Sequence, residues 1–89
     1  MKLKETVEMM ISIDYKERFK AEYYQTKERY EKLKAFNTKI EAAKMNTTES
    51  KVEMPKHDCP DDLLRKQQSI MGEYLHILEL RAVIEGVEL

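Results

Sequence analysis

The chain has 89 residues, and its 16 Lys and Arg against 17 Asp and Glu give a net charge of −1. A nearly neutral chain has no overall basic field to attract nucleic acid, so we do not expect a nucleic-acid partner. Charged residues make up 37% of the chain, whereas Gly and Pro occur only twice each. This composition is typical of long helices. The length predicts a single domain over residues 1–89 with a small core.

The location of the protein is predicted from what its sequence lacks. No apolar run approaches the roughly 20 residues of a membrane-spanning helix, so we expect no membrane partner. The first residues, from Met1 to Glu5, lack the apolar stretch and cleavage site of a signal peptide. These features predict a cytoplasmic protein. Cys59 is the single cysteine, which excludes an intrachain disulfide.

The first thirteen residues support two interpretations. Leu3, Val7, Met10 and Ile11 have the spacing of a short amphipathic helix, whereas residues 10–13 also fit an extended arm. We favour the helix.

The first long helix is predicted over residues 14–45. This stretch has no Gly or Pro, and Asp14 is well placed to cap its start. Asn37 interrupts an apolar stripe of three-four spacing, which places its members on one side of a helix. The stripe consists of Phe19, Tyr23, Thr26, Tyr30, Leu33 and Ile40.

A polar linker over residues 46–58 precedes a second long helix over residues 59–85. Pro60 suits the first helical position, and Asp61 and Asp62 complement the positive end of the helix dipole. Gly86 is the predicted terminator. The two helices therefore predict an all-α antiparallel hairpin.

The second helix is apolar on more sides than one partner helix can cover. We therefore expect a homo-oligomer to complete the core. Gln67 and Arg81 interrupt the main stripe of this helix, where polar residues usually fix register, and Tyr74 is expected to be buried. The predicted contact between chains consists of Ile77, Leu80, Val83, Ile84 and Val87.

The sequence has no catalytic constellation. It lacks a glycine-rich phosphate loop, a His-Glu-x-x-His helix and a calcium loop, so we expect no enzymatic activity, no cofactor and no metal site. The candidates for binding are one tyrosine off the main stripe and several cations. These residues are Tyr24, Lys27, Arg65, Lys66 and Arg81.

Several segments resemble one family. Tyr15 to Tyr23 and Arg29 to Phe36 are similar to the first helix of small accessory proteins of tailed bacteriophages and prophages, a group related to a crAss-like phage protein. The run from Cys59 to Leu64 resembles the start of their second helix. Further matching positions are Gln67, Met71, Tyr74, Leu75, Ile77, Leu78, Glu79 and Arg81. The resemblance covers roughly residues 15 to 85.

The resemblance implies a phage protein that acts by binding in the cytoplasm of a bacterial host. The plan of two helices also resembles phage proteins that sequester cyclic nucleotide immune signals. We therefore expect counter-defence, with a cyclic nucleotide or a host defence protein as the partner. The alternative is a structural, assembly or regulatory helical oligomer without a small ligand.

Overall fold

The computed structural model describes residues 1–45 and 53–89, and all of its regular elements are helices. A 3-10 turn, Leu3–Thr6, leads into the short helix α1, Val7–Met10. The two long helices are α2, Tyr15–Lys44, and α3, Asp61–Glu85. No strand occurs in the two described ranges, which confirms the all-α class. Most of the predicted linker, residues 46–52, lies outside the described residues.

Helix α2 begins at the predicted cap. Asp14 has an extended backbone, and its carboxylate accepts a hydrogen bond from the backbone N–H of Lys16 at 3.0 Å. This contact satisfies one of the free donors at the start of a helix. Thirty residues then continue without a break, a length of about 45 Å.

Helix α3 is bounded by the two residues that the sequence singled out. Pro60 is the residue before the helix rather than its first member, since its carbonyl accepts from the N–H groups of Leu63 and Leu64. Gly86 ends the helix with a φ of 72°, a left-handed conformation that favours glycine. The chain then turns, and Val87 N–H donates to the carbonyl of Ala82 at 2.8 Å.

Contacts between α2 and α3 establish an antiparallel hairpin. Tyr23 on α2 donates its hydroxyl proton to Glu79 Oε2 on α3 at 2.6 Å. Burial raises the pKa of Tyr23 to about 12, and the bond to Glu79 adds to the effect. The main buried cluster between the helices consists of apolar and aromatic side chains. It consists of Phe19, Tyr23, Leu75, Leu78, Ala82 and Val87.

Two expectations about burial are wrong. Val87 was predicted to form a chain-to-chain contact, but it is only 6% exposed in this chain, because the turn at Gly86 folds it back onto the end of α3. Tyr74 was predicted to be buried, but it is 38% exposed. It lies at the edge of the helix pair, where its hydroxyl donates to Glu22.

The N-terminal segment, residues 1–13, packs against α2 and contains the short helix that we favoured. Its anchor is Thr6, which is fully buried. The Thr6 hydroxyl donates to the carbonyl of Leu3 at 2.6 Å and accepts from Gln25 Nε2 at 2.9 Å. Ala21, 1% exposed, lies in the same part of α2. Its small side chain allows the close approach of the two segments.

Asn37 interrupts the apolar stripe because it joins the helices by hydrogen bonds. Its Nδ2 donates to the carbonyl of Leu64 at 3.1 Å and to Gln68 Oε1 at 2.9 Å. The side chain is 7% exposed, so both hydrogen bonds of Nδ2 are largely shielded from water. The polar residue therefore holds the far end of the hairpin in register.

Asn37→Asp is expected to lower the free energy of unfolding by about 3 kcal/mol at neutral pH, because a buried carboxylate would face two oxygen acceptors. Urea denaturation measures the change. Thr38→Asp is the matched control, since Thr38 is exposed and one position along. Equal losses in both variants would contradict the role of the Asn37 donors.

Candidate binding groove

A groove of about 580 Å³ runs along α2. Helix α2 forms its floor, Met10 from the N-terminal segment lies on one side, and Arg81 of α3 lies on the other. We call this the arginine groove. Its lining residues are Met10, Tyr15, Arg18, Phe19, Ala21, Glu22, Gln25, Thr26, Arg29 and Arg81.

Arg81 is held in place at the α3 side of the groove. Its Nε donates to Glu85 Oε2 at 2.7 Å, and its guanidinium lies 5.0 Å from the centre of the Phe19 ring. Glu85 raises the pKa of Arg81, and Arg81 in turn lowers the pKa of the Glu85 carboxyl. The guanidinium is therefore a fixed positive charge stacked over an aromatic floor.

Both carboxylates near Arg81 are engaged by tyrosines. Tyr15 donates its hydroxyl proton to Glu85 Oε1 at 3.3 Å, and Tyr74 donates to Glu22. Burial and the nearby Glu85 charge raise the pKa of Tyr15, and the bond to Glu22 raises that of Tyr74. These bonds fix the orientation of the two carboxylates.

Two further arginines on α2 face the same groove. Arg18 Nη1 donates a hydrogen bond to the backbone carbonyl of Ser12 at 2.7 Å. The other N–H groups of this guanidinium take no part in that bond. Arg29 is exposed and forms no ion pair with any residue of the described ranges. The groove thus presents three guanidinium groups against one lining carboxylate, Glu22. Such a surface suits a phosphate or carboxylate beside an aromatic or planar group.

Only one of the predicted binding residues lines the arginine groove, namely Arg81. Tyr24 and Lys27 lie beside Met1 and Glu28 in a separate depression. Lys27 Nζ is 5.8 Å from the centre of the Tyr23 ring, a contact within the hairpin. These two residues are therefore separated from Arg81.

The other two predicted cations lie at the start of α3. Arg65 Nη2 pairs with Asp62 Oδ1 at 2.6 Å, and Lys66 is exposed beside Ile70. Sequence reasoning did not select Tyr15, Arg18 and Arg29. The signal for the arginines was present, because residues 18, 22, 25 and 29 repeat at four-three-four spacing and share one helix face.

A second polar cluster lies at the far end of the hairpin, where α2 ends and α3 begins. His57 Nε2 lies 2.6 Å from Asp61 Oδ1, and Asp61 also pairs with Lys44. The backbone carbonyl of Pro55 and then Asp61 raise the pKa of His57. Lys44 and then His57 lower the pKa of Asp61. This cluster ties the linker to both long helices.

The His57 cluster predicts that stability falls as the pH rises. A raised pKa in the folded state means that protonation of His57 stabilises the fold below its unfolded pKa of about 6.5. That contribution is lost as the pH rises through the raised folded value. We therefore expect the thermal midpoint to decrease between about pH 6 and pH 8. The slope should flatten in His57→Gln, which keeps His76; an unchanged slope would contradict the assignment.

The described ranges contain no cluster of three or more His, Cys, Asp or Glu side chains that could hold a metal ion. In the same part of the chain, no helix is both long enough and apolar enough to cross a membrane.

Comparison with known proteins places the chain in a family. Residues 13–84 match the family model described as Sequestin. This match covers the whole of α2, all of α3 except Glu85, and every groove residue except Met10. No curated protein and no solved structure matches the chain. Because the family model covers more than half of its length, the chain belongs to the Sequestin family.

Proposed function

We propose that this protein captures a nucleotide signal of bacterial defence in the arginine groove and acts by occupancy, without catalysis. The observation that carries the proposal is the convergence of Arg18, Arg29 and Arg81 on one groove with an aromatic floor. The family name fits a binding or sequestering role. Origin from a phage or prophage, and action in the host cytoplasm, are part of the proposal.

The chemistry of the groove suits a nucleotide better than a simple anion. Guanidinium groups bind phosphate oxygens in a bidentate manner, and they also stack on planar rings. Tyr15, which is 46% exposed, adds aromatic surface beside the charges, whereas Phe19 is buried beneath the Arg81 guanidinium. A volume of about 580 Å³ lies within the range of small-ligand sites. A ligand with both phosphate and base would use all of these groups.

Isothermal titration calorimetry with cyclic AMP, cyclic di-AMP, cyclic di-GMP and cyclic tri-AMP tests the proposal. We expect saturable binding of at least one of these compounds and its recovery intact by mass spectrometry. Arg29→Gln should weaken binding, whereas Lys27→Gln, on another face of α2, should not. Absence of heat with the whole panel would contradict capture of a cyclic nucleotide, and conversion of the ligand would contradict action without catalysis.

A second candidate function rests on the exposed apolar residues of α3. Ile77, Leu80, Val83 and Ile84 are between 51% and 83% exposed, more than scattered surface residues require. This surface supports blocking of a host defence protein, or a helical oligomer with a structural, assembly or regulatory role. Pull-downs with purified defence proteins test the first role. Normal phage assembly without this protein would contradict the structural one.

A further inference from the structure

Glu22 is the only carboxylate among the described residues that line the arginine groove. It lies on the floor between Arg18 and Arg29, four residues after the first and seven before the second, on the same face of α2. No Lys, Arg or His of the two described ranges forms an ion pair with Glu22. A carboxylate here repels the phosphate that the three guanidinium groups attract. It therefore weakens anion binding unless it contacts another part of the ligand.

The carboxylate of Glu22 is held in place, yet it keeps most of its capacity to accept hydrogen bonds. Tyr74 on α3 donates its hydroxyl proton to Glu22 Oε1, which directs the side chain towards α3. Arg81 lies at that same side of the groove. A carboxylate can accept about four hydrogen bonds on its two oxygens, and the residue is exposed. A ligand in the groove can therefore donate to both oxygens of Glu22.

Among the common bases, the donor pattern of guanine matches a carboxylate. The base-pairing edge of guanine carries two N–H donors side by side, one at N1 and one at the 2-amino group. Adenine and cytosine each carry one amino donor beside a ring nitrogen that accepts, and uracil carries one donor between two carbonyl acceptors. With those three bases, an acceptor of the ligand would face an oxygen of Glu22, which disfavours binding.

We infer that Glu22 recognises a guanine base in the arginine groove, so that guanine nucleotides are the preferred ligands. The carboxylate accepts from N1–H and from the 2-amino group. A guanidinium of the groove can donate to guanine O6 and N7, the contact that Arg most often makes with this base, and the other guanidinium groups bind phosphate. Adenine has an amino donor in place of O6, so it lacks both contacts. This inference rests on the proposed function, because it names the base of the nucleotide.

The base preference is measured with cyclic di-GMP and cyclic di-AMP, which share one sugar–phosphate ring and differ only in the base. In isothermal titration calorimetry, the wild-type protein is expected to bind cyclic di-GMP at least about tenfold more tightly. Cyclic di-IMP keeps N1–H and O6 but lacks the 2-amino group, and it should bind about tenfold more weakly than cyclic di-GMP. Equal affinity for cyclic di-GMP and either of the other two compounds would overturn the inference.

Glu22→Gln tests the residue that recognises the base. The amide has one acceptor and one donor group in place of two acceptors, and it has no charge to repel phosphate. We therefore expect the variant to bind cyclic di-GMP more weakly and cyclic di-AMP more tightly than the wild type. Opposite changes for two ligands are not expected of a residue that only supports the fold. The same change in affinity for both nucleotides would overturn the role of Glu22.

Two further variants separate a base contact from other effects. Glu28→Gln is the matched control, because Glu28 lies on α2 outside the groove and pairs with Lys32 at 3.5 Å; the base preference should not change. Tyr74→Phe removes the hydroxyl that donates to Glu22 but keeps the carboxylate, so cyclic di-GMP should remain the preferred ligand. If Tyr74→Phe abolished the preference as fully as Glu22→Gln, Glu22 would act only through Tyr74 and the inference would be wrong.

The same titrations distinguish failure of this inference from failure of the proposed function. If the wild-type protein bound adenine nucleotides at least as tightly as cyclic di-GMP, the guanine preference would be overturned while capture of a nucleotide would stand. If it bound no nucleotide, both would be overturned. Circular dichroism of each variant checks that its helices are intact, so that a change in affinity reports on the groove.

Discussion

Leu78→Ala is expected to lower the free energy of unfolding by about 3 to 4 kcal/mol. Leu78 is completely buried in the core between α2 and α3, and the lost methyl groups would leave a cavity that two long helices cannot easily close. A domain of this size typically has about 5 to 13 kcal/mol of stability in total. The substitution therefore removes a large share of it.

Urea denaturation at one fixed protein concentration measures this loss. Leu80→Ala is the control, because Leu80 is two positions along the same helix and 51% exposed. We expect its loss to stay below about 1 kcal/mol. Comparable losses for the two variants would mean that the core of the hairpin is not centred on Leu78.

Arg81→Glu is expected to weaken nucleotide binding in the arginine groove by at least about 100-fold. The substitution removes a guanidinium fixed by Glu85 and Phe19 and places a negative charge where the ligand phosphate would lie. Arg81→Lys should have a smaller effect, because it keeps the charge but loses the planar fork of donors. Calorimetry with the compound that binds the wild-type protein measures both.

Arg65→Glu is the matched control for charge reversal on α3. Arg65 pairs with Asp62 away from the groove, so its reversal should leave nucleotide affinity close to that of the wild type. Circular dichroism of each variant, measured alongside, checks that its helices are intact. An Arg81→Glu variant that keeps its affinity would contradict the placement of the site.

The helices were predictable because their ends depend on local chemistry. Asp14 caps its own helix within two residues, and Gly86 ends α3 through its own backbone conformation. The burial of a side chain depends instead on contacts between residues that are far apart in the sequence. Tyr74 and Val87 were misplaced because the turn after Gly86 and the rotation of α3 against α2 decide which side chains are covered. Helical spacing alone does not determine either.

The candidate site was predictable only in part. Arg81 was selected because it interrupts an apolar stripe, which is visible in one helix. Arg18 and Arg29 instead belong to a charged face of α2 that is typical of a solvated helix surface. Arg18 and Arg29 line a groove because the hydrogen bond between Gln25 and Thr6 holds the N-terminal segment beside α2. A buried threonine with a polar partner 19 residues away gives no periodic signal.

The docking of Thr6 onto Gln25 also affects the order in which the site is assembled. One side and the floor of the groove come from residues 10 to 29, which are close in the chain and can meet at little loop-closure cost. Arg81 joins the lining of the groove only when α3 packs against α2. A ligand that bridges Arg81 to the α2 arginines therefore binds only the closed hairpin, and it stabilises that state by an amount that grows with the logarithm of the ligand concentration relative to the dissociation constant.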